Sequence, residues 1–181
     1  MNDYGAKDLA ESFRTVRKNT LIAAEEIGEE HYAFRATPET RTIAQTLVHI
    51  AHICELQERI HAVERRATLE GFDFMAFIGP LIADEHTPRS KAQILELLRE
   101  GRDRYGKWLE GLSDDFLAER VGMHPGMTPA SKTRFEMLLG VKEHEMHHRG
   151  QLMLLQRMVG VVPHLTRELN ARLAAAAGKR E

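Results

Sequence analysis

The amino-acid sequence predicts an all-α protein, a four-helix bundle with short accessory helices. Four long segments repeat apolar residues at i, i+3 and i+4 spacing, which is typical of amphipathic helices. No segment shows the regular alternation that is typical of a β-strand. A long crossover between the second and third of these segments also fits a bundle.

Apolar periodicity and capping residues predict where each helix begins and ends. The predicted helices, of which the last is rich in Leu and Ala, span residues 6–27, 41–66, 90–111, 131–159 and 164–177. Ser90 and Ser131 are expected to cap the third and fourth helices. The second helix is apolar on two sides, which indicates that it is buried on both or uses one for a partner.

The crossover at residues 67–89 is expected to contain one short helix packed back on the bundle. Its apolar residues are Phe72, Phe74, Phe77 and Ile78. Gly79-Pro80 and Thr87-Pro88 are expected to break this helix. Residues 121–130 are rich in Gly and Pro and are expected to form a loop.

Composition and charge exclude several classes of function. A length of 181 residues is enough for one well-packed domain, so a single domain over residues 1–181 is expected. The formal net charge of −2 offers no attraction for nucleic acid or an anionic membrane. The sequence has one cysteine, Cys54, and no apolar run near the ~18 residues of a membrane span. We therefore expect a soluble cytoplasmic protein.

A pair of histidines lies in the middle of the fourth helix. His144 and His148 are four residues apart, so they project from one face about 40° apart, as two ligands of one metal ion would. The same face carries the predicted core residues Met137, Leu138, Val141, Leu152, Leu155 and Val159. A buried imidazole without a partner costs about 1–3 kcal/mol. The pair therefore indicates either a shared metal ion or two core histidines bonded to carboxylates or backbone carbonyls.

An open, catalytic metal site needs a third protein ligand. His49, at the centre of an apolar stripe of the second helix, is the best candidate. His52 is the fallback, although a solvated position at the rim suits it better. The other histidines off the core stripes are expected at the surface, namely His31, His61, His86, His124 and His164.

Residues 144–148 also satisfy His-Glu-x-x-His, the pattern of zinc metallopeptidases, in which the glutamate is the general base. Glu168 could then be the downstream ligand. However, no predicted strand could bind a peptide, and the break at Gly160–Pro163 separates Glu168 from the helix. The motif is also short enough to arise by chance, so a histidine from another helix is the better third ligand.

Two stretches carry a family resemblance. They are Arg41-Thr42-Ile43-Ala44-Gln45-Thr46-Leu47-Val48-His49-Ile50-Ala51, and His144-Glu145-Met146-His147-His148-Arg149-Gly150-Gln151-Leu152 followed by Gly160-Val161-Val162-Pro163. Together with the helix order and the crossover, they make most of the chain resemble the DinB/YfiT-like family of metal-dependent four-helix proteins, which is unrelated to the DNA polymerase of similar name.

The resemblance implies an up-down-down-up bundle with a divalent metal ion held by His49, His144 and His148. It also implies frequent homodimers. Some relatives resemble thiol S-transferases or isomerases that use bacillithiol, mycothiol or glutathione, and no motif here selects one thiol.

A metal ion at such a site is expected to activate a small nucleophile. Zn or Ni is the leading candidate, with Fe or Mn as alternatives, because imidazole suits several of these ions. A cation held by neutral imidazoles keeps its charge and lowers the pKa of water or a thiol. Glu145 could accept a proton, support a ligand histidine or form a salt bridge, and Gln151 could orient a bound water. Cys54 is not expected to be the nucleophile.

Three functions stay open at this point: a thiol S-transferase, a metal-dependent hydrolase, and a non-catalytic metal-stabilised or metal-sensing bundle. The expected partners are a small-molecule substrate and a second copy of the chain. The dimer is expected to use either the second apolar stripe of the second helix or the face of the fourth helix with Leu139, Met146 and Met153.

Overall fold

The computed structural model describes residues 4–178. Its α-helices are α1 (Ala6–Glu26), α2 (Ile43–Gln57), α3 (Phe74–Asp84), α4 (Lys91–Glu110), α5 (Asp114–Ala118), α6 (Arg134–Met158) and α7 (His164–Ala177). A 3-10 turn at Glu29–His31 follows α1, and a π-helical segment at Glu58–Val63 extends α2. Among the described residues, no helix is both long enough and apolar enough to cross a lipid bilayer.

Helices α1, α2, α4 and α6 form the bundle, and α1 and α2 each pack on both α4 and α6. Arg14 near the start of α1 pairs with Glu110 at the end of α4, so these two helices are antiparallel. Tyr4 packs edge-to-face against Phe135, and Glu26 accepts a hydrogen bond from Gln156, so α1 and α6 are parallel.

The hydrophobic core fixes the direction of α2. Ile43 at its start shares one core cluster with Ile94 of α4 and Leu155 of α6, whereas Cys54 near its end shares a second cluster with Leu138 of α6. Helix α2 is therefore parallel to α4 and antiparallel to α6. The four-helix bundle and its up-down-down-up order are confirmed.

A polar layer crosses the bundle at Arg17, whose side chain is fully buried. Its Nε donates to both carboxylate oxygens of Glu145 at 2.9 and 3.0 Å, and its Nη atoms donate to the carbonyl oxygens of Leu98 and Ile50 at 3.1 and 2.9 Å. Thr20 Oγ1 donates to Glu145 at 2.7 Å. Arg17 therefore joins all four bundle helices.

The ends of α2 and α6 differ from the prediction. Thr42 caps α2 in a reciprocal pair with Gln45, and the α-helix ends at Gln57 rather than continuing to residue 66. Thr133 caps α6 together with Glu136, so the prediction of Ser131 as the cap was wrong. Glu at the third helical position makes a capping box with Thr133, which Ser131 could not make.

Two short elements were not predicted. Residues Arg120–Gly122 (β1) and Ser131–Thr133 (β2) pair as antiparallel strands, and three residues are too few to show an alternating pattern.

Helix α3 continues through Gly79-Pro80, so the predicted break was wrong. Pro80 is exposed, so the carbonyl that it leaves without a helical donor can be hydrated.

Candidate metal centre

Three histidines meet between α2 and α6. The Nε2 atom of His148 lies 3.1 Å from that of His49 and 2.8 Å from that of His144. The spacing of four residues brings His144 and His148 together on α6, and antiparallel packing brings α2 alongside them. His148 is buried, His49 is partly buried and His144 is exposed, so one side of the trio opens outward.

Hydrogen bonds to the outer ring nitrogens orient two of these imidazoles. His49 Nδ1 lies 2.8 Å from Glu85 Oε1, and His148 Nδ1 lies 3.0 Å from Gln151 Oε1. Both oxygens are acceptors, so the ring protons lie on Nδ1 and the Nε2 lone pairs face each other. Two lone pairs at this distance repel unless a cation lies between them. The donor set therefore fits a divalent metal ion, as in metal sites where a carboxylate or carbonyl holds each ligand histidine.

Burial favours the neutral imidazoles that metal binding requires. Burial, aided by the charges of His49 and the neighbouring histidines, lowers the pKa of His148 to about 4. Burial and the same kind of repulsion also lower the pKa of His144. Both rings are consequently free of a second proton at neutral pH, and they can act as ligands without displacing one.

Glu85, at the end of α3, is a site residue that sequence reasoning missed. Arg41 Nε and Nη2 donate to its two oxygens at 2.6 and 3.2 Å, beside the contact with His49. Burial raises the pKa of Glu85, but hydrogen bonds from His49 and Arg41 outweigh that effect and lower it overall. The signal available in the sequence was the acidic pair Asp84-Glu85 in the crossover. The sequence does not reveal which part of the bundle this pair contacts.

His52 lies outside the trio. Its Nδ1 lies 2.6 Å from Glu55, and its Nε2 lies 2.9 Å from Asp84. The hydrogen bond with Glu55, followed by that with Asp84, raises the pKa of His52 despite burial. Both nitrogens face carboxylates, so this ring has no lone pair to offer a metal ion.

Glu145 and Gln151 occupy different surroundings. The Glu145 carboxylate is fully buried on the α1 side of α6, where it binds Arg17, and it does not join the histidines. Its predicted catalytic role stays a prediction, and its contacts match the salt-bridge alternative. Gln151 touches His148 and also lies 3.1 Å from His147 Nε2. It is placed to hold a ligand ring.

The expectation that the remaining histidines lie at the surface was wrong for two of them. His61 and His164 are 1% and 4% exposed. Arg134 donates to His61 Nδ1 at 2.8 Å, and His61 Nε2 donates to Gln57 at 2.9 Å. The π-helical segment shifts residues after Glu58 around the helix axis relative to an α-helix, which turns His61 inward.

Cys54 is fully buried in the core. Burial raises the pKa of its thiol to about 12, although the charge of Arg17 opposes this. A thiol in this state is not a nucleophile at neutral pH, in agreement with the expectation from the sequence.

Comparison with known proteins places this geometry in context. The sequence pattern of the DinB superfamily matches residues 12–152. YfiT from Bacillus subtilis, described as a probable metal-dependent hydrolase with an unusual four-helix bundle topology, is 20% identical with a TM-score of 0.65, over 86% of this chain and 88% of YfiT. A DinB-like protein of the same organism, YjoA, is 18% identical with a TM-score of 0.59, over 84% of this chain and 92% of its own. No curated protein matches the sequence significantly.

Proposed function

The chain belongs to the DinB superfamily, and from this premise we propose that it is a divalent-metal-dependent enzyme whose ion is held by His49, His144 and His148. The observation that carries the proposal is the convergence of the three Nε2 atoms, two of them turned inward by acceptors on Nδ1. Zn or Ni leads, with Fe or Mn as alternatives. When bound, such an ion supplies a Lewis acid that lowers the pKa of a small nucleophile.

The reaction that the surroundings favour is transfer of a low-molecular-weight thiol. Glu85, which touches His49, is paired with Arg41, and Glu145, which follows His144, is paired with Arg17. Each carboxylate is thus engaged by an arginine, which favours a nucleophile that needs little help from a general base. A thiol, with a pKa of about 8.5, needs less help to ionise than water at about 15.7. The thiol proton passes to solvent, and the sulfur bonds to an electrophilic carbon. The bonding electrons leave that carbon with chloride in a chlorinated aromatic, or move to the ring oxygen of an epoxide, which then takes up a proton from solvent.

A metal-dependent hydrolase is the second candidate, because YfiT is described in those terms. The chain's own residues would act alike in both reactions. Glu85 and Gln151 would hold the ligand rings, and Arg41 would keep Glu85 ionised. The two candidates differ in the nucleophile, and a non-catalytic metal-stabilised bundle is the alternative to both.

Metal binding is the first test. Zn²⁺ titrated by calorimetry into tag-free protein should bind with a stoichiometry of one, and His148→Ala should lose more affinity than the roughly 10–100-fold typical of residues that only support a ligand. His31→Ala removes a half-buried histidine outside the trio and should bind as the wild type does. Unchanged binding by His148→Ala would refute the site.

Turnover is the second test. Glutathione, bacillithiol and mycothiol should each be offered with a chlorinated aromatic or an epoxide, using protein as purified, stripped of metal, and reloaded. Conjugation that disappears on stripping and returns on reloading supports the transferase. Metal-dependent ester or amide hydrolysis without conjugation supports the hydrolase, and tight metal binding without either reaction supports the non-catalytic bundle.

A further inference from the structure

Helix α3 has an apolar sequence but little burial. From Phe74 to Ala83 it carries no polar side chain, and none of its residues through Asp84 is buried. An apolar helix in a folded domain normally buries one face against the core. The unusual exposure indicates that α3 does not close onto the bundle beneath it.

A cavity of about 300 Å³ separates α3 from the bundle. Ile78 and Leu81 of α3 form its roof, and Ile53 and Leu56 of α2 form its floor. His49 and His144 line its inner end, so the open side of the histidine trio faces this space, which we call the α3 chamber. Pockets for small molecules measure about 300–1,000 Å³ and are largely apolar with a few polar groups.

Polar contacts cap α3 at its start and hold its end to the bundle. Asp73 caps the first turn by accepting from the Ala76 amide at 2.9 Å. At the other end, Asp84 pairs with Arg89 and with His52 of α2, and Glu85 pairs with His49 of α2. The end of α3 is thus held against α2 beside the histidine trio, so the chamber is part of the folded structure.

The charges at the chamber wall are already neutralised within the chain. Arg41 is paired with Glu85, and His52 with Asp84 and Glu55. A ligand with a carboxylate or an ammonium group would therefore find no unpaired counter-charge on these residues. Among the described residues that line the chamber, His49 and His144 present the ring nitrogens at which a bound metal ion would meet a molecule in the chamber.

We propose that the α3 chamber binds the uncharged, apolar part of the substrate and holds its reacting atom at the histidine trio. The substrate class is a small neutral molecule with one aromatic ring or an aliphatic group of similar size. A second cavity of about 450 Å³ shares Leu56 and Phe74 with the chamber and continues between Met123 and Met137, which leaves room for a longer apolar tail. The inference rests on the proposed function for its chemistry, but binding itself needs no turnover.

Binding of fluorotoluene, followed by fluorine NMR on metal-free and Zn²⁺-loaded protein, tests this proposal. The wild type should bind the probe in both states, and in the metal-free state, where no cation can attract a carboxylate, it should bind fluorobenzoate more weakly. Ile78→Trp, which fills the chamber, should weaken fluorotoluene binding by roughly tenfold or more. Met75→Trp adds the same side chain to α3 at a position 64% exposed and outside the chamber lining, and it should bind as the wild type does.

Circular dichroism and Zn²⁺ binding should show that both variants fold, and Ile78→Phe replaces Ile78→Trp if the larger residue prevents folding. Equal probe binding by all variants, or none by the wild type, would overturn the proposal. If Ile78→Trp changes the molecular mass of the protein in light scattering but leaves probe binding unchanged, the chamber is a contact for a protein partner, and the proposal is overturned. Probe binding without metal-dependent turnover would instead count against the proposed function alone.

Discussion

His144 and Glu145 are neighbours on α6, yet they belong to opposite kinds of polar cluster. Glu145 points to α1, where each carboxylate oxygen receives a donor from Arg17 and one also receives a donor from Thr20. His144 points to α2, where its Nε2 atom and those of His49 and His148 lie close together. The Nε2 atoms of His49 and His148 are both acceptors, and no hydrogen-bond donor of the described residues lies between them. The first cluster is closed and the second is incomplete.

The difference shows which buried polar groups can bind a ligand. Both clusters lie at helix–helix contacts of the same bundle, so neither polarity nor location distinguishes them. What distinguishes them is hydrogen-bond saturation, because a saturated group gains nothing from a ligand and an unsaturated one loses free energy until it finds a partner. Mutations on each side of α6 can therefore separate a structural role from a binding role.

The largest effect is expected from Arg17→Met, which leaves the buried Glu145 carboxyl group without its arginine partner. The free energy of unfolding should fall by about 3–5 kcal/mol, as measured by urea denaturation of metal-free protein. Arg14→Met is the control, because its pair with Glu110 is exposed and such pairs contribute about 0–1 kcal/mol. The double variant Arg17→Met/Glu145→Met should recover much of the loss, and equal losses in Arg14→Met and Arg17→Met would contradict the saturated-cluster interpretation.

His61 is a histidine in a second closed cluster, and its contribution to the free energy of unfolding should depend on pH. Burial, with the charge of Arg134, lowers its pKa from 6.5 to about 4. The folded state therefore binds this proton less readily than the unfolded state does. The contribution of His61 to the free energy of unfolding is therefore fully present above pH 6.5. It falls by about 2–3 kcal/mol as the pH drops towards 4.

His61→Asn keeps an acceptor for Arg134 but removes the titrating ring. The difference in unfolding free energy between wild type and His61→Asn, measured at intervals from pH 7 to pH 4, should shrink as the pH falls. A difference that stays constant with pH would show that His61 does not titrate in this way.

Glu85→Ala should weaken the incomplete cluster without removing a ligand. Loss of the acceptor on His49 Nδ1 frees that ring to rotate and change tautomer, so Zn²⁺ affinity should fall by roughly 10–100-fold. Glu55→Ala is a matched control, because Glu55 contacts His52 rather than a member of the trio. Calorimetry that finds equal effects in the two variants would remove Glu85 from the site.

Gly150→Ala is expected to have the smallest effect, and its sign is informative. An added Cβ would meet no atom within 4 Å, so alanine should stabilise α6 by about 0.5–1 kcal/mol without changing Zn²⁺ affinity. Met146 and Leu154 on either side are 45% and 58% exposed, which makes this face one candidate for the homodimer expected from the sequence. A stability that instead falls, and depends on protein concentration, would indicate that a second copy covers Gly150.

Apolar periodicity predicted the bundle and made His49 the best partner for His144 and His148, with His52 as the fallback, and the family resemblance implied the full trio. His49, His144 and His148 interrupt apolar stripes, and facing stripes must meet in the core, so their proximity follows from helix geometry. The partners of these residues could not be predicted in the same way. Glu85 reaches His49 only because α3 crosses the bundle at one particular place, which depends on packing and not on local sequence.

One missed signal was available. Arg17 lies four residues after Phe13 and three before Thr20, on the predicted apolar stripe of α1, and Glu145 interrupts the stripe of α6 in the same way. Two opposite charges on core-facing positions predict a buried pair. The π-helical segment after Gln57 had no comparable signal, so the inward turn of His61 was beyond reach.

The parallel packing of α1 on α6 also constrains how the protein folds. Arg17 and Glu145 are separated by 128 residues, and His49 and His148 by 99, so both clusters close loops that span most of the chain. Bundles whose neighbouring helices pair in sequence order have more local contacts and fold faster. Because α1 can pack on α6 only after most of the chain has been brought together, we expect the contacts of Arg17 to form late in folding. Such late contacts mainly slow unfolding, so the central ion pair should lengthen the lifetime of the native state more than it hastens its formation.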